Sequence, residues 1–317
     1  MKKRILLTGG SGCVGRAILA ELSSKFEFVC LALSEADCRV INLCGPAEVV
    51  LGGINDKALL ESIFRSQRID AVIHLAAVVH RPMESAIVYR CVNVEATKTL
   101  ATLAGDYCVE HFLFASTVAV YGQTAGNILD ETAPCDPLGV YAQSKRDAEL
   151  FLLNRHNLSL TILRLATVYG AGDRGNIGRL YSLVKHRLVP LLGSETTRKS
   201  LVYSGNVAAV VAAALFQKRA MGEIFNVADE RDYSLSEIVK VMSSVAGVHV
   251  VGVRIPNWLL RAAGVFPVRR VRALAKVGLK AGTETQYSIA KAISVLGYKP
   301  EFDLESGLYD AQQHEVI

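Results

Sequence analysis

The sequence predicts an α/β protein built on a doubly wound parallel sheet, with a smaller C-terminal lobe. In the first half of the 317-residue chain, short apolar runs alternate with segments of helical periodicity. This alternation is typical of parallel strands that helices cover on both faces. A glycine-rich turn follows the first apolar run and opens the first helix, as in the first βα unit of such sheets. The rhythm changes after residue 167, which predicts a domain at 1–167 and a partly interleaved lobe at 168–317.

The predicted elements follow one another in βα order. Apolar runs predict strands at 4–7, 28–33, 49–51, 71–75, 112–116 and 160–165. Helical spacing predicts helices at 13–23, 57–66, 93–107 and 141–154. In the lobe, strands are expected at 201–203, 224–227 and 250–253, with a helix at 234–246. The residues after Leu33, among them Glu35, Asp37 and Arg39, are expected to form a loop, and so is 189–200.

Composition excludes several classes of protein. Hydrophobic residues make up 51% of the chain and charged residues 21%, and the net charge of +5 is mild. The chain shows no apolar stretch of membrane-spanning length, no secretory signal, and no basic stripe with interleaved aromatic residues. The seven cysteines form no Cys-x-x-Cys pair, and no histidine cluster completes a metal site. We therefore expect a cytoplasmic protein with reduced thiols, no metal, no membrane span and no nucleic-acid partner.

The glycine-rich turn has the composition of a dinucleotide site. Residues 8–15 read Thr-Gly-Gly-Ser-Gly-Cys-Val-Gly, between the first strand and the first helix. Glycines permit a tight turn and a close approach of the backbone to a pyrophosphate, which then faces the helix N-terminus. Cofactor contacts are expected at Gly9, Ser11, Gly12, Cys13, Val14 and Gly15.

A tyrosine and a lysine four residues apart indicate proton transfer. Tyr141 and Lys145 fall in a predicted helix, where residues at this spacing share one face. A cation beside a phenol favours the phenolate, so we expect the pKa of Tyr141 to fall from about 10 toward neutrality. Such a base removes a proton from a substrate hydroxyl while a cofactor accepts the hydride.

Six motifs, in order along nearly the whole chain, resemble the extended short-chain dehydrogenase/reductase superfamily in its nucleotide-sugar epimerase/dehydratase branch. The first is the Gly-x-x-Gly-x-x-Gly spacing that begins at Gly9. The others are similar to the fourth strand with its Ala-Ala turn, the Asn-Val-x-Gly-Thr helix, the strand that delivers the catalytic hydroxyl, the sixth-strand motif and the closing pattern of that branch. They lie at 70–77, 93–97, 114–122, 163–170 and 296–308. The resemblance implies a Rossmann fold.

The resemblance also implies a catalytic triad and a cofactor site. Tyr141 would be the general acid/base, and Lys145 would bind the nicotinamide ribose and lower the tyrosine pKa. Thr117, rather than its neighbour Ser116, would hydrogen-bond the reacting hydroxyl. The resemblance implies NAD as the cofactor. NADP is also possible, because the family's acid at the end of the second strand is absent from its place. Further cofactor contacts are implied for Ser34, Ile54, Leu75, Ala76, Ala77 and Asn93.

The implied substrate is a nucleotide-diphosphate sugar. Arg198 matches the position of the arginine that binds the diphosphate, and a guanidinium suits bidentate phosphate recognition. Further substrate contacts are implied for His80, Thr117 and Asn176. Where the family has an aspartate after the arginine, this chain has Gly205 and then Asn206. Relatives dimerise through the helices that correspond to 93–107 and 141–154, so a homodimer is expected.

Two reactions and one binding function fit these residues. Family 4,6-dehydratases carry an Asp-Glu pair after the catalytic threonine, and Val118 and Ala119 at those positions cannot transfer protons. A C4 epimerase with retained NAD is the first interpretation. The alternative is an NAD(P)H-dependent 4-keto-sugar-nucleotide reductase of surface-polysaccharide biosynthesis, which needs the same triad. A non-catalytic dinucleotide-sensing protein is the third, and an intact triad argues against it.

Overall fold

A central sheet with helices on both faces organises the protein. The computed structural model describes residues 2–79, 85–123, 126–192, 197–255 and 285–314. The strands are β1 Arg4–Thr8, β2 Glu27–Ala32, β3 Glu48–Leu51, β4 Ala71–His74, β5 His111–Thr117, β6 Ile128–Leu129, β7 Leu160–Leu165, β8 Thr167–Tyr169, β9 Leu188–Leu192, β10 Arg198–Lys199, β11 Leu201–Tyr203, β12 Glu223–Val227, β13 Tyr233–Ser234, β14 Val251–Ile255 and β15 Gln286–Tyr287. The α-helices are α1 Cys13–Leu22, α2 Glu35–Cys44, α3 Lys57–Ser66, α4 Ala86–Tyr89, α5 Ala96–Asp106, α6 Val140–Leu153, α7 Asn176–Lys185, α8 Ser204–Ala214, α9 Leu235–Val245 and α10 Leu304–Gln313. A π-helical turn, Arg90–Glu95, joins α4 to α5, and a 3₁₀ turn, Val118–Tyr121, follows β5.

Seven strands form one parallel sheet in the order β12-β7-β5-β4-β1-β2-β3. The strand order reverses between β1 and β4, and doubly wound sheets bind ligands in the crevice outside the carboxyl ends of the strands at such a point. Thr8 and His74, the last residues of these two strands, are directly paired. The predicted doubly wound architecture is confirmed.

Successive residues of β1 bury apolar side chains on opposite faces of the sheet. Ile5 and Leu7 belong to the cluster that includes residues of α1 and α8. Leu6, between them, belongs to the cluster that includes residues of α3, α5 and α6. Burial on both faces explains why the strands are nearly continuous apolar runs in the sequence.

The segment after β2 differs from the prediction. It forms helix α2 rather than a loop, and Ser34 caps this helix by accepting a hydrogen bond from the N–H of Asp37 at 3.3 Å. Ile41 is the only buried residue of α2, so the sequence shows no clear apolar stripe there. The loop expected at 189–200 is also wrong, because the chain there forms β9, which pairs with β14, and β10. By contrast, α3, β7 and β11 have the predicted bounds.

Asn206 anchors the C-terminal segment beside the sheet. Its Nδ2 donates to the carboxylate of Asp229 and to the carbonyl of Phe302, both at 2.8 Å. Its Oδ1 accepts from the N–H groups of Glu301 and Phe302 at 3.0 and 3.1 Å. Asn206, which follows the departure from the family pattern at Gly205, therefore holds the C-terminal segment in place.

Two expectations from composition can be compared with the structure. Across the described residues, no helix combines the length and the apolar character needed to cross a membrane. The seven cysteines, all of which are described, are free thiols.

Candidate active site

The turn between β1 and α1 brings three backbone segments into contact. Gly9 has a φ of +77°, and a Cβ there would lie 2.9 Å from the backbone nitrogen of Ala76, which follows β4. A Cβ on Gly15 would lie 2.4 Å from the carbonyl oxygen of Gly9 and 2.6 Å from the Cα of Gly10. These distances are well inside ordinary contact separations. Glycine is therefore required at both positions.

The N-terminus of α1 suits an anion. Gly12 precedes the helix and provides no side-chain cap, and the first turn contains no acidic residue. Unpaired N–H groups at a helix N-terminus bind phosphate groups. Burial raises the pKa of the Cys13 thiol to about 12, so this residue adds no negative charge. The site therefore fits the pyrophosphate of a dinucleotide.

The segment after β8 lies against the same turn. A Cβ on Gly170 would come within 3.1 Å of the sulfur of Cys13. A Cβ on Gly172 would come within 2.7 Å of the Arg16 guanidinium, which itself donates to the carbonyl of Ser11 at 2.9 Å. Residues from the second half of the chain thus reach the predicted pyrophosphate site.

An acidic side chain that sequence analysis missed also reaches the glycine turn. Asp37, in the first turn of α2, accepts hydrogen bonds from the hydroxyls of Ser11 and Ser34, the latter at 2.8 Å. These bonds, chiefly that of Ser11, together with the charge of Arg174, hold the pKa of Asp37 below its usual value. The Ser-x-x-Asp spacing at 34–37 is typical of helix N-termini and could have predicted this placement.

The three predicted catalytic side chains lie at or beside the carboxyl end of β5. Tyr141 and Lys145 occupy successive turns of α6, and Thr117 is the last residue of β5. The side chains of Thr117 and Tyr141 are hydrogen-bonded to each other. Thr117 Oγ1 also accepts the N–H of Ala119 at 3.2 Å, which helps to fix the hydroxyl. Lys145 Nζ lies 4.0 Å from the centroid of the Phe114 ring, also on β5.

Burial dominates the electrostatics of the pair on α6. It raises the pKa of Tyr141 to about 12, against a lowering contribution from the hydrogen bond with Thr117. It lowers the pKa of Lys145 to about 7, against a raising contribution from Glu149. The expectation that Lys145 alone brings the phenol toward neutrality is therefore wrong, because burial penalises the phenolate and the ammonium alike.

A buried ion pair lies beneath the triad. Glu149, one turn after Lys145, accepts hydrogen bonds from Arg164 of β7 at 2.8 and 3.1 Å. It also accepts the hydroxyl of Ser116 at 2.5 Å. Because Ser116 bonds to this pair, the geometry supports Thr117 as the hydroxyl that serves Tyr141.

The remaining predicted cofactor residues lie partly at the end of β4 and partly in the apolar clusters. The N–H groups of Leu75 and Ala76 donate to the carbonyl and the hydroxyl of Thr8 at 3.1 and 3.2 Å, and Ala77 comes next. Ile54 and Val14 pack into the apolar clusters on the two faces of the sheet.

Asn93 connects the crevice to α6. Its side chain accepts the N–H of Val78 at 2.8 Å and donates to the carbonyl of Val78 at 3.1 Å and to Ser144 Oγ at 2.9 Å. Ser144 in turn donates to the carbonyl of Tyr141 at 2.7 Å.

The predicted substrate residues are less closely grouped. Arg198 lies in β10, and its guanidinium forms an ion pair with Glu237 of α9. Asn176 is exposed at the start of α7, and His80 lies outside the described residues.

The region around β10 nevertheless reaches the same end of the sheet as the triad. Ser200, directly after β10, accepts the N–H of Tyr287 at 3.1 Å. The ring of Tyr287 stacks on Tyr121 with centroids 5.7 Å apart, and Tyr121 ends the 3₁₀ turn that follows Thr117.

Comparison with known proteins agrees with this arrangement. A sequence profile of the NAD dependent epimerase/dehydratase family matches residues 5–228. The chain belongs to this family. The resemblance found in the sequence is thereby confirmed, and the protein is an enzyme of the NAD-dependent epimerase/dehydratase type.

Individual members of this family match most or all of the chain. The N-acetyl-alpha-D-glucosaminyl-diphospho-ditrans,octacis-undecaprenol 4-epimerase of Escherichia coli O157:H7 is 26% identical, over 100% of this chain and 96% of that protein. The dTDP-D-glucose 4,6-dehydratase of Mus musculus is 29% identical, over 75% of this chain and 71% of that protein. The UDP-glucose 4-epimerase of Thermotoga Maritima, solved with UDP-glucose, has a TM-score of 0.81 at 22% identity and 98% coverage of both chains, which shows a shared fold.

The residues of the crevice fit the family's NAD. The close backbone contacts at Gly9 and Gly15 leave no room for side chains in the turn, and the N-terminus of α1 lacks an acidic side chain. Asp37 supplies a carboxylate beside the turn, where the ribose hydroxyls of a dinucleotide bind in doubly wound folds.

Proposed function

We propose that the protein is a C4 epimerase of nucleotide-diphosphate sugars that retains NAD. One observation carries this proposal: Thr117 and Tyr141 are hydrogen-bonded at the carboxyl end of β5, with Lys145 on the next turn of α6. These groups stand beside a crevice that fits NAD. The Escherichia coli and Thermotoga Maritima proteins named above, both 4-epimerases, support the same reaction.

Tyr141 and Thr117 transfer and orient the proton in this reaction. Thr117 Oγ1 hydrogen-bonds the C4 hydroxyl of the sugar, and Tyr141 Oη accepts its proton. NAD held by the glycine turn and the N-terminus of α1 would accept the hydride from C4 and later return it to the opposite face of that carbon. Once the 4-keto sugar has turned over, Tyr141 returns the proton to the carbonyl oxygen. The hydrogen bond with Thr117 lowers the pKa of Tyr141 and so favours the phenolate, and the positive charge of a bound nicotinamide ring would favour it further.

The residues after Thr117 argue against a dehydratase. Val118 is buried in the 3₁₀ turn, and the N–H of Ala119 is bonded to Thr117. Elimination of water needs an acid and a base, and neither side chain can donate or accept a proton.

Retention of the cofactor separates the epimerase from the 4-keto reductase. An epimerase regenerates its cofactor in each turnover, whereas a reductase must exchange it. We expect the purified protein, after denaturation and filtration, to release about one NAD per chain. A protein that releases none and turns over a 4-keto sugar only with added NADH or NADPH would support the reductase instead.

The diphosphate is the part of the substrate that Arg198 is proposed to bind. Because its guanidinium pairs with Glu237, a bound diphosphate has to share or replace that carboxylate. The Escherichia coli relative acts on a lipid-linked sugar diphosphate, so assays with UDP-hexoses and with a lipid-linked sugar diphosphate distinguish the two carriers. The proposal requires activity on a nucleotide-diphosphate hexose, and activity on the lipid-linked sugar diphosphate alone would contradict it.

Asp37 is proposed to favour NAD over NADP. A carboxylate beside the adenosine ribose accepts from the 2′-hydroxyl and repels a 2′-phosphate. Asp37→Asn removes the charge. We expect the Kd for NAD to rise about tenfold and the ratio of the Kd for NADP to the Kd for NAD to decrease. Titration calorimetry with both dinucleotides measures the change. Glu35→Gln, an exposed change in the same helical turn, is the control and should leave both affinities unaltered; equal effects of the two variants would refute a specific role for Asp37.

We also propose a cytoplasmic homodimer. Ile87 on α4 and Leu150 and Leu153 on α6 are 71%, 45% and 38% exposed, and a second copy packed on these helices would bury them. Free cysteines suit a reducing compartment. Light scattering should give twice the chain mass of 34.3 kDa, and a monomer would refute the assembly.

A further inference from the structure

A chain of hydrogen bonds runs through the buried ring of His74 at the carboxyl end of β4. Thr8 Oγ1 accepts the N–H of Ala76 at 3.2 Å and lies 2.7 Å from His74 Nδ1. On the other side of the ring, His74 Nε2 lies 2.8 Å from Thr97 Oγ1. Thr97 donates to the carbonyl of Asn93, also at 2.8 Å. The three side chains in this series of contacts, Thr8, His74 and Thr97, are buried.

The backbone groups at the two ends of this series determine which atom donates in each hydrogen bond. The carbonyl of Asn93 only accepts, so Thr97 gives its single proton to that oxygen and can only accept from His74. Nε2 of the ring therefore carries the proton, and Nδ1 accepts from Thr8. The ring is neutral, since burial and the nearby charge of Lys145 lower the pKa of His74 to about 3. One tautomer satisfies all the groups along this chain.

The chain of bonds continues to the helix that carries Tyr141. The side chain of Asn93 donates to Ser144, and Ser144 donates to the backbone carbonyl of Tyr141. At the other end, Thr8 is the last residue of β1 and Ala76 follows β4, at the point where the sheet order reverses. His74 thus joins the floor of the cofactor crevice to α6 through side chains that are fully hydrogen-bonded.

We propose that His74 is a positioning residue, which through Thr97 and Asn93 sets the separation between the cofactor crevice and Tyr141. This inference rests on the proposed function, because the separation matters only if a hydride leaves C4 of the sugar while a proton leaves its C4 hydroxyl. A misplacement of about 1 Å lowers the rate of such a step by up to about 100-fold. His74 touches neither reacting group in this role.

The same sheet contains a matched control at its opposite end. His111, at the start of β5, accepts the N–H of Phe216 at 3.0 Å and lies 2.9 Å from Thr161 Oγ1. Thr161 donates to the carbonyl of Ala220 at 2.6 Å. Burial lowers the pKa of His111 to about 4, so this ring is also neutral. It has the same chemistry as His74 but lies at the sheet end opposite the triad.

Two threonine substitutions test the proposal. Thr97→Val and Thr161→Val each remove one buried hydroxyl from the partner of a neutral histidine, so we expect similar losses of melting temperature. For Thr97→Val we expect kcat to fall about 10- to 100-fold, with NAD content and KM nearly unchanged. Thr161→Val should keep the wild-type kcat, and Thr97→Ser, which retains the hydroxyl, should restore it. Equal kcat in Thr97→Val and wild type, or equal losses in both valine variants, would overturn the positioning role.

A second measurement is independent of turnover. Nitrogen NMR of protein labelled in histidine, with the signal of His74 assigned by its loss in His74→Asn, should show the Nε2-protonated neutral tautomer. An Nδ1-protonated or charged ring would overturn the proposed bond directions. If wild type shows the expected tautomer but has no activity on any sugar diphosphate, the proposed function fails. Activity in wild type with no effect of Thr97→Val overturns the inference alone.

Discussion

Tyr141→Phe is expected to lower kcat by about 10²- to 10⁴-fold, because it removes the oxygen that accepts and returns the substrate proton. The ring stays in place, so the packing of α6 against β5 should persist. NAD content should stay close to that of wild type, since the glycine turn and Asp37 are untouched. Turnover is measured by the conversion of a UDP-hexose into its C4 epimer.

Tyr107→Phe provides the control for this substitution. Tyr107 lies just after α5 and stacks on Phe64 with ring centroids 5.6 Å apart, a contact that phenylalanine retains. Its kcat should stay within about twofold of wild type, because a substitution outside the site that keeps the ring changes stability by only about 0.5 kcal/mol. Full activity in Tyr141→Phe would remove the basis of the proposed chemistry. Loss of NAD from that variant would mean that the substitution damages the crevice instead.

Gly15→Ala is expected to weaken NAD binding by about 10- to 100-fold. The added Cβ would lie 2.4 Å from the carbonyl oxygen of Gly9 and 2.6 Å from the Cα of Gly10, so the turn has to move. Overpacking of this kind costs about 1–3 kcal/mol, and the shifted turn no longer presents its N–H groups to a pyrophosphate. NAD content after purification and titration calorimetry measure the loss.

Gly53→Ala is the matched control. A Cβ at Gly53 would meet nothing closer than 3.8 Å, and its backbone needs no positive φ. This variant should bind NAD as wild type does and melt at nearly the same temperature. Wild-type affinity in Gly15→Ala would show that the turn tolerates a side chain and would contradict its assignment as the pyrophosphate site.

Periodicity and motif spacing predicted the helices and strands whose buried apolar residues repeat regularly in the sequence. Helix α3 and strand β7 have the predicted bounds because their apolar residues face a core and repeat accordingly. The spacing of Tyr141 and Lys145, with Thr117 at the end of a strand, indicated side chains that meet only in the folded chain. Helix α2 was missed because only Ile41 of its residues is buried, and Asp37 was missed with it.

The electrostatics of the site could not be derived from spacing. A lysine one turn away predicts a lowered tyrosine pKa, but the structure buries Lys145 and half-buries Tyr141, and loss of water contact favours their neutral forms. Glu149, whose charge opposes that effect on Lys145, lies one further turn along α6, and its partner Arg164 comes from another strand. The bonds through His74 likewise need the pairing of β1 with β4.

The fate of a deuterium atom at C4 tests the proposed reaction most directly. Wild-type protein, without added cofactor, is incubated with UDP-hexoses deuterated at C4, and the products are examined by mass spectrometry and NMR. The proposed mechanism predicts a C4 epimer that keeps the deuterium on the same carbon. The retained cofactor would return to C4 the deuteride that it accepted, and solvent protons never reach that carbon. Epimer that has lost the label to water, or no epimer until reduced dinucleotide is added, would contradict it.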